Sequence, residues 1–271
     1  MHCWKLILEY DGTNYCGWQE QKNSRTIAGE LRRAAEKVIG GEIILDGAGR
    51  TDAGVHALQQ VARIKSKKGK NTDQLIAALN RELPKDINIL DASVASPDFH
   101  PRHDAIQRSY IYQIALRRTA FAKRYVWWIQ EPLQEDRMQS ASRLLVGRLD
   151  FERFADKRSE EKSTIVVVEN LEIARFGDLL LIRISASHFL WKMVRRIVGC
   201  LVQIGLNQLT EESFAAFLQP QPLPRKFRSF SIPAHTAPAS GLFLESVAYQ
   251  KEELPGPLKP AFSLGRGLRE S

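Results

Sequence analysis

The residues best suited to chemistry lie in one short segment, Gly47-Ala48-Gly49-Arg50-Thr51-Asp52-Ala53-Gly54-Val55-His56. Arg50 and Asp52 are two apart, a spacing that in extended backbone turns both side chains to the same side. A buried carboxylate kept ionised by an arginine can act as a nucleophile or a base without a cofactor. Glycines allow a close approach to a ligand that side chains would block. The same composition also suits a plain turn, because Asp readily binds nearby backbone N–H groups. The rest of the chain has to decide between the two.

Other chemistries find less support. There is no nucleophile elbow for a Ser-His-Asp triad, no phosphate loop and no dinucleotide fingerprint. Cys3, Cys16 and Cys200 are odd in number and scattered, without a Cys-x-x-Cys pair or a histidine at zinc spacing, so neither a disulfide framework nor a metal site is expected. Against 31 acidic residues stand 39 lysines and arginines, a net charge of +8. Such an excess favours polyanions, and nucleic acid is the first partner to consider. No apolar run reaches the roughly 20 residues of a membrane span, and no signal peptide is recognisable, so a cytoplasmic protein is expected.

The elements that must position the loop follow from periodicity. Short β-branched runs flank it, Ile43 to Leu45 before and Leu58 to Ile64 after, which makes it a connection between strands. Trp4 to Tyr10 reads as a strand, followed by the loop Asp11 to Gln19, in which Tyr15 and Trp18 could stack on a base or close the core; the core reading is favoured. Ile27, Leu31, Ala34, Ala35 and Val38 mark a helix capped by Thr26. A second helix runs from Asp73 to Leu83 and a strand from Ile87 to Val94. The order strand, helix, strand, strand, helix, strand is the ferredoxin-like arrangement, which does not decide function.

A second half starts near Phe99-His100-Pro101-Arg102, giving expected domains of 1–104 and 105–250 with a disordered tail over 251–271. Gln107 to Leu116 alternates as a half-buried strand, Glu135 to Leu145 is a helix, and 157–162 is a charged exposed loop. Strands over Ile165 to Ala174 and Leu179 to Ala186 precede an apolar, buried helix from Phe189 to Ile204. Arg195 and Arg196 stand at its head. An uncompensated buried charge costs on the order of 3–5 kcal/mol, so at least one of them should meet a carboxylate. A short helix (Glu211 to Leu218), a Pro-rich basic loop (Pro220 to Gly241) and a last strand (Leu242 to Tyr249) complete the half.

Several stretches, in this order, resemble the tRNA pseudouridine synthase A family. They are Glu9-Tyr10-Asp11-Gly12 with Gly17-Trp18-Gln19, the Gly-Arg-Thr-Asp-Ala-Gly-Val-His string from Gly49, Phe99-His100-Pro101-Arg102, Arg108-Ser109-Tyr110-Ile111-Tyr112, Phe189 with Met193 to Gly199, and Ala237-Pro238-Ala239-Ser240-Gly241-Leu242. The resemblance covers Trp4 to about Tyr249. It implies an α+β fold of two ferredoxin-like (RRM-like) halves sharing a continuous, mainly antiparallel sheet with helices on one face, and a homodimer. It also implies a cofactor-free isomerase that converts uridine to pseudouridine at positions 38, 39 and 40 of the tRNA anticodon arm. By matching position Asp52 would be the essential aspartate, acting on the base or on the ribose. Tyr110 would stack on the base, and Arg195 would be the ion-pair partner of Asp52. Arg50, His56, Arg102 and Tyr110 would contact substrate, the target base leaving its stack to reach Asp52. The alternative is a non-catalytic tRNA-binding protein on the same scaffold. The chain departs from the family pattern in having no arginine within 163–168, in the charged 157–162 segment and in the tail.

Overall fold

The computed structural model describes residues 1–156, 163–219 and 221–262; the charged 157–162 segment lies outside the described residues. In chain order the elements are β1 (His2–Tyr10), α1 (Ile27–Ala35), β2 (Ile43–Gly47), β3 (His56–Ser66), α2 (Thr72–Glu82), β4 (Ile87–Val94), β5 (Gln107–Ala115), β6 (Trp127–Trp128), α3 (Glu135–Ser142), β7 (Gly147–Asp150), β8 (Ile165–Phe176), β9 (Leu179–Ala186), α4 (Met193–Gly205), α5 (Glu211–Phe217) and β10 (Leu242–Ala248). The class is α+β, as expected. The chain divides into two compact units, 1–108 with 243–255 and 109–242 with 256–271.

The first unit has the ferredoxin-like order. β1 lies antiparallel between β4 and β3, and β2 pairs antiparallel with the far end of β3, Gly47 opposite Ala62. α1 begins where Thr26 Oγ1 accepts from the Gly29 amide, and α2 where the Asn71 side chain accepts from Asp73 and Gln74. Their apolar stripes, Ile27, Leu31 and Ala35 on α1 and Leu75 and Leu79 on α2, are buried, as are Trp4, Leu6 and Leu8 of β1. Tyr15 and Trp18 are buried too, so both belong to the core.

The last strand joins the ladder of the first unit. β10 runs parallel to the start of β3, with Phe243 opposite His56 and Leu244 opposite Ala57. The Phe243 ring stacks on His56 with centroids 4.7 Å apart, an aromatic pairing that residue periodicity does not encode.

In the second unit the strand order is β5-β9-β8-β7, with β6 parallel to β5, and α3 packs on α4. α4 is buried almost all round, as its composition demands, but begins at Met193 rather than Phe189. Lys192 adopts φ 64°, which breaks the helical path, and its ammonium is held by Asp156 at 2.6 Å.

β5 and the tail correct the sequence reading together. Every residue of β5 is buried, not alternate ones. The tail residues Leu258 and Phe262 pack on Ile111, Ala115, Ala122, Val126, Leu179 and Leu181, covering the strand face expected to meet water. Arg183 of β9 donates to the Gly256 carbonyl at 2.8 Å, and the Ala261 amide donates to Gln113 Oε1 at 2.8 Å. Residues 251–262 are therefore ordered where composition suggests disorder.

Candidate active site

The chain leaves the ladder at Gly47 and rejoins it at His56, and the intervening loop is tied down at nearly every peptide. The Ala48 amide donates to Val61 O at 2.8 Å, and the Ala48 carbonyl accepts from the Arg108 guanidinium at 3.1 Å. Gln60 Nε2 donates to the Gly49 carbonyl at 3.0 Å. From the loop after β1, the Trp18 amide donates to Thr51 O at 3.0 Å, and Tyr15 O accepts from the Gly54 amide at 3.3 Å. The Thr51 and Tyr10 hydroxyls are 2.8 Å apart, and Gln60 Nε2 reaches the same Tyr10 oxygen at 3.4 Å. Burial pushes the Tyr10 phenol up to about 12, which keeps it a neutral hydroxyl at physiological pH.

Asp52 opens a turn that the Val55 amide closes on the Asp52 carbonyl at 3.1 Å. Gly54, third in that turn, takes φ 76°, the left-handed conformation a type II turn requires at that position. The peptides before and after Asp52 are thus fixed while its side chain stays half-buried, with Arg50 exposed beside it. A carboxylate presented from such a frame loses little freedom when it meets a reacting atom.

His56 takes a different place from the one the resemblance implies. The ring is 1% exposed, stacked on Phe243, and its Nδ1 faces the Gly12 amide and the Asp11 carboxylate, each at 3.1 Å. It braces the loop from behind and has no surface to offer a substrate. Arg102 is exposed on the 99–102 turn, whose carbonyls bind Arg63, Tyr249 and Arg108. Arg108 therefore links this turn to the start of the Asp52 loop.

The second unit holds the other expected residues. Tyr110 on β5 is 8% exposed and meets the Phe189 ring edge-on, centroids 5.0 Å apart at 88°. Arg195 lies in the first turn of α4, half-buried, with Nε donating to Ala237 O at 2.7 Å. Its neighbour Arg196 is the buried one and binds the Asp156 carboxylate, which meets the expectation of at least one arginine–carboxylate pair. Tyr112 donates to Pro238 O at 2.8 Å, and burial raises its phenol far above the ordinary range against the opposing effect of Arg195.

Arg50, Asp52 and His56 thus share one loop of the first unit, Arg102 stands on a turn bonded to it through Arg108, and Tyr110 and Arg195 belong to the second unit. Sequence reasoning missed the residues that hold the loop. Tyr10 and Arg108 lie inside quoted motifs and were within reach; Gln60, a buried amide in an apolar strand, carries a signal only as a polar residue out of pattern.

The family model described as tRNA pseudouridine synthase matches residues 6–104 and 141–250, which include Asp52 and Arg195 but not Tyr110. Among similar proteins, the tRNA pseudouridine synthase A of Rhodopseudomonas palustris is 40% identical over 250 residues, covering 91% of this chain and 99% of its own. That of a Thermoanaerobacter species is 39% identical over 246 residues, covering 90% and 98%. That of Dictyoglomus thermophilum is 38% identical over 250 residues, covering 91% and 99%. With both ends of the Asp52 loop and nearly the whole length of these relatives represented, the chain belongs to the tRNA pseudouridine synthase A family.

Proposed function

We propose that this protein converts uridine to pseudouridine in the anticodon arm of tRNA, at positions 38, 39 and 40, with Asp52 as the reacting carboxylate. The observation that carries the assignment to Asp52 is the framing of its two peptides by the Trp18 and Val55 amides, with Tyr10 and Gln60 holding Thr51 and Gly49 just before it, while Asp52 remains half-buried. In the reaction the bond from C1′ to N1 breaks, the detached base turns, a bond from C1′ to C5 forms, and the C5 proton is lost as N1 gains one. No oxidant and no cofactor enter that balance. Asp52 starts it, by attack on the nucleoside or by removing a ribose proton. Tyr110 stacks on the base and assists departure of the C5 proton, and the positive charge of Arg195 supports the chemistry of the Asp52 carboxylate. Arg50 and Arg102, both exposed cations, bind RNA phosphates. His56 supports the loop rather than touching RNA.

Among the described residues no helix is long and apolar enough to cross a membrane. The protein acts in the cytoplasm, where tRNA is modified, and works as a homodimer, which sedimentation would check. The test of function is incubation with an anticodon-arm RNA, followed by carbodiimide-blocked reverse transcription to map pseudouridine. Product at the target uridines is expected, with none from Asp52→Asn even though that variant still binds tRNA. Turnover by Asp52→Asn would remove the carboxylate from the chemistry; release of free uracil would indicate a hydrolase. Binding without product would favour the non-catalytic alternative.

A further inference from the structure

The crossover between β5 and β6 has a firmly held base and a tip that folding leaves in water. At its base the Leu116 amide donates to Asp178 O at 2.9 Å, and the Arg117 guanidinium binds the Asp178 carboxylate. Ala122 is 6% exposed in the core beside Ile111 and Val126. The Tyr125 amide donates to Ala122 O at 2.8 Å, closing a turn, and Gln113 Nε2 donates to Tyr125 O at 3.1 Å. Yet Phe121, next to that anchor, is 97% exposed, and Trp128 beyond it is 41% exposed with the Arg118 guanidinium 5.9 Å from its ring centre. Arg117, Arg118, Lys123 and Arg124 give the segment from Leu116 to Gln130 four cations and no acid.

A lone exposed apolar residue is ordinary. An exposed aromatic ring on a cation-rich loop with an anchored base is the combination that binds unpaired nucleotides, rings stacking on bases and cations such as Arg118 and Lys123 neutralising phosphates. We infer that the 116–128 loop is a second RNA-binding element, in which Phe121 stacks on an unpaired nucleotide of the RNA substrate other than the target uridine while Arg118 and Lys123 bind the flanking phosphates. The inference rests on the tRNA-modifying reading and adds a contact that reading does not require. The charge excess of the loop and of the whole chain favours RNA over a protein partner, whose interface core would be depleted in charge.

The experiment compares tRNA affinity and turnover for the native protein, F121A, F121L, F121W and the pair R118Q and K123Q. At 97% exposure Phe121 contributes nothing to folding, so the melting temperature of F121A should match the native one. F121A is expected to weaken tRNA binding roughly tenfold, within the range of one lost base stack, with turnover at saturating RNA unchanged. F121W should restore affinity and show fluorescence quenching by tRNA, and F121L should not restore it, because an aliphatic group has no face to stack on. R118Q and K123Q should each lower the slope of log affinity against log salt by roughly one. Native affinity in F121A, in a protein that still makes pseudouridine, overturns the proposal and leaves the activity standing; a change in sedimentation without a change in affinity overturns it in favour of a protein contact. Absence of pseudouridine from the native protein overturns the reading beneath it.

Discussion

Arg195 and Ala237 bind each other twice: the Ala237 amide donates to the Arg195 carbonyl at 3.0 Å while Arg195 Nε donates back to the Ala237 carbonyl at 2.7 Å. The segment 235–237 is thereby strapped to α4, and the arginine is aimed by backbone on another part of the chain. The Ala-Pro-Ala-Ser-Gly-Leu motif that begins at Ala237 thus supports an arginine, and its Gly241 packs against the Tyr112 ring.

Gly199 tests that strap. A Cβ there would collide with the His235 carbonyl, so Gly199→Ala must push the strap away from α4. Overpacking of this kind costs about 1–3 kcal/mol. The expected result is a lower melting temperature together with a fall in turnover, as Arg195 loses its aim. Full turnover in a destabilised variant would show that the strap serves the fold alone.

Tyr10→Phe removes the hydroxyl between Thr51 and Gln60 and leaves the ring in place. The stability loss should be near 1 kcal/mol, the net value of one hydrogen bond. Turnover should fall on the order of tenfold with little change in tRNA affinity, since the loop frame loosens without loss of charge. Steady-state kinetics beside a denaturant titration would separate the two effects.

The Asp156 carboxyl lies below its ordinary range, held there first by the hydrogen bond from Lys192 and then, against a desolvation cost, by Arg196. A depressed carboxyl contributes stability above its unfolded value of about 4, and the contribution is lost as pH falls through the lower folded value. Asp156→Asn should therefore be less stable near neutrality by less than the roughly 3–5 kcal/mol of a fully buried pair, because Asp156 is partly exposed, the loss coming chiefly from leaving the buried Arg196 without its anion. Melting curves of the two proteins should converge in acid. A gap that persists at low pH would assign the loss to packing.

Tyr110→Phe keeps the ring that meets Phe189 and deletes only the phenol. Binding of tRNA should be retained and the rate severely reduced if the hydroxyl serves the C5 proton. A native single-turnover rate would confine Tyr110 to stacking.

The first unit was legible because each of its elements carries a local signal. Thr26 caps α1, Asn71 precedes α2, and β1 alternates against a single buried face. The two misjudgements in the second unit have one origin. β5 reads as half-buried because Tyr110, Tyr112, Ile114 and Leu116 recur on one face, and the tail reads as disordered because it carries Pro, Gly and scattered charge with little apolar content. Each is the other's cover, and a pairing between residues nearly 150 positions apart in the chain leaves no periodic trace in either. At the site, Asp52 was legible from its motif and its frame was not. Gln60 and Tyr10 act through hydrogen bonds that only the folded register creates.

The position of β10 bears on biosynthesis. The first unit comprises 1–108 and 243–255, so a growing chain delivers most of it before the intervening 109–242 and its remaining strand only after. At about 5–20 residues per second the ribosome needs on the order of ten seconds to supply the intervening stretch. During that interval β3 lacks its parallel neighbour at His56 and Ala57, and an open ladder edge at that end is a template for unwanted pairing. His56 also waits for Phe243, so the rear support of the Asp52 loop is assembled only once β10 has been made.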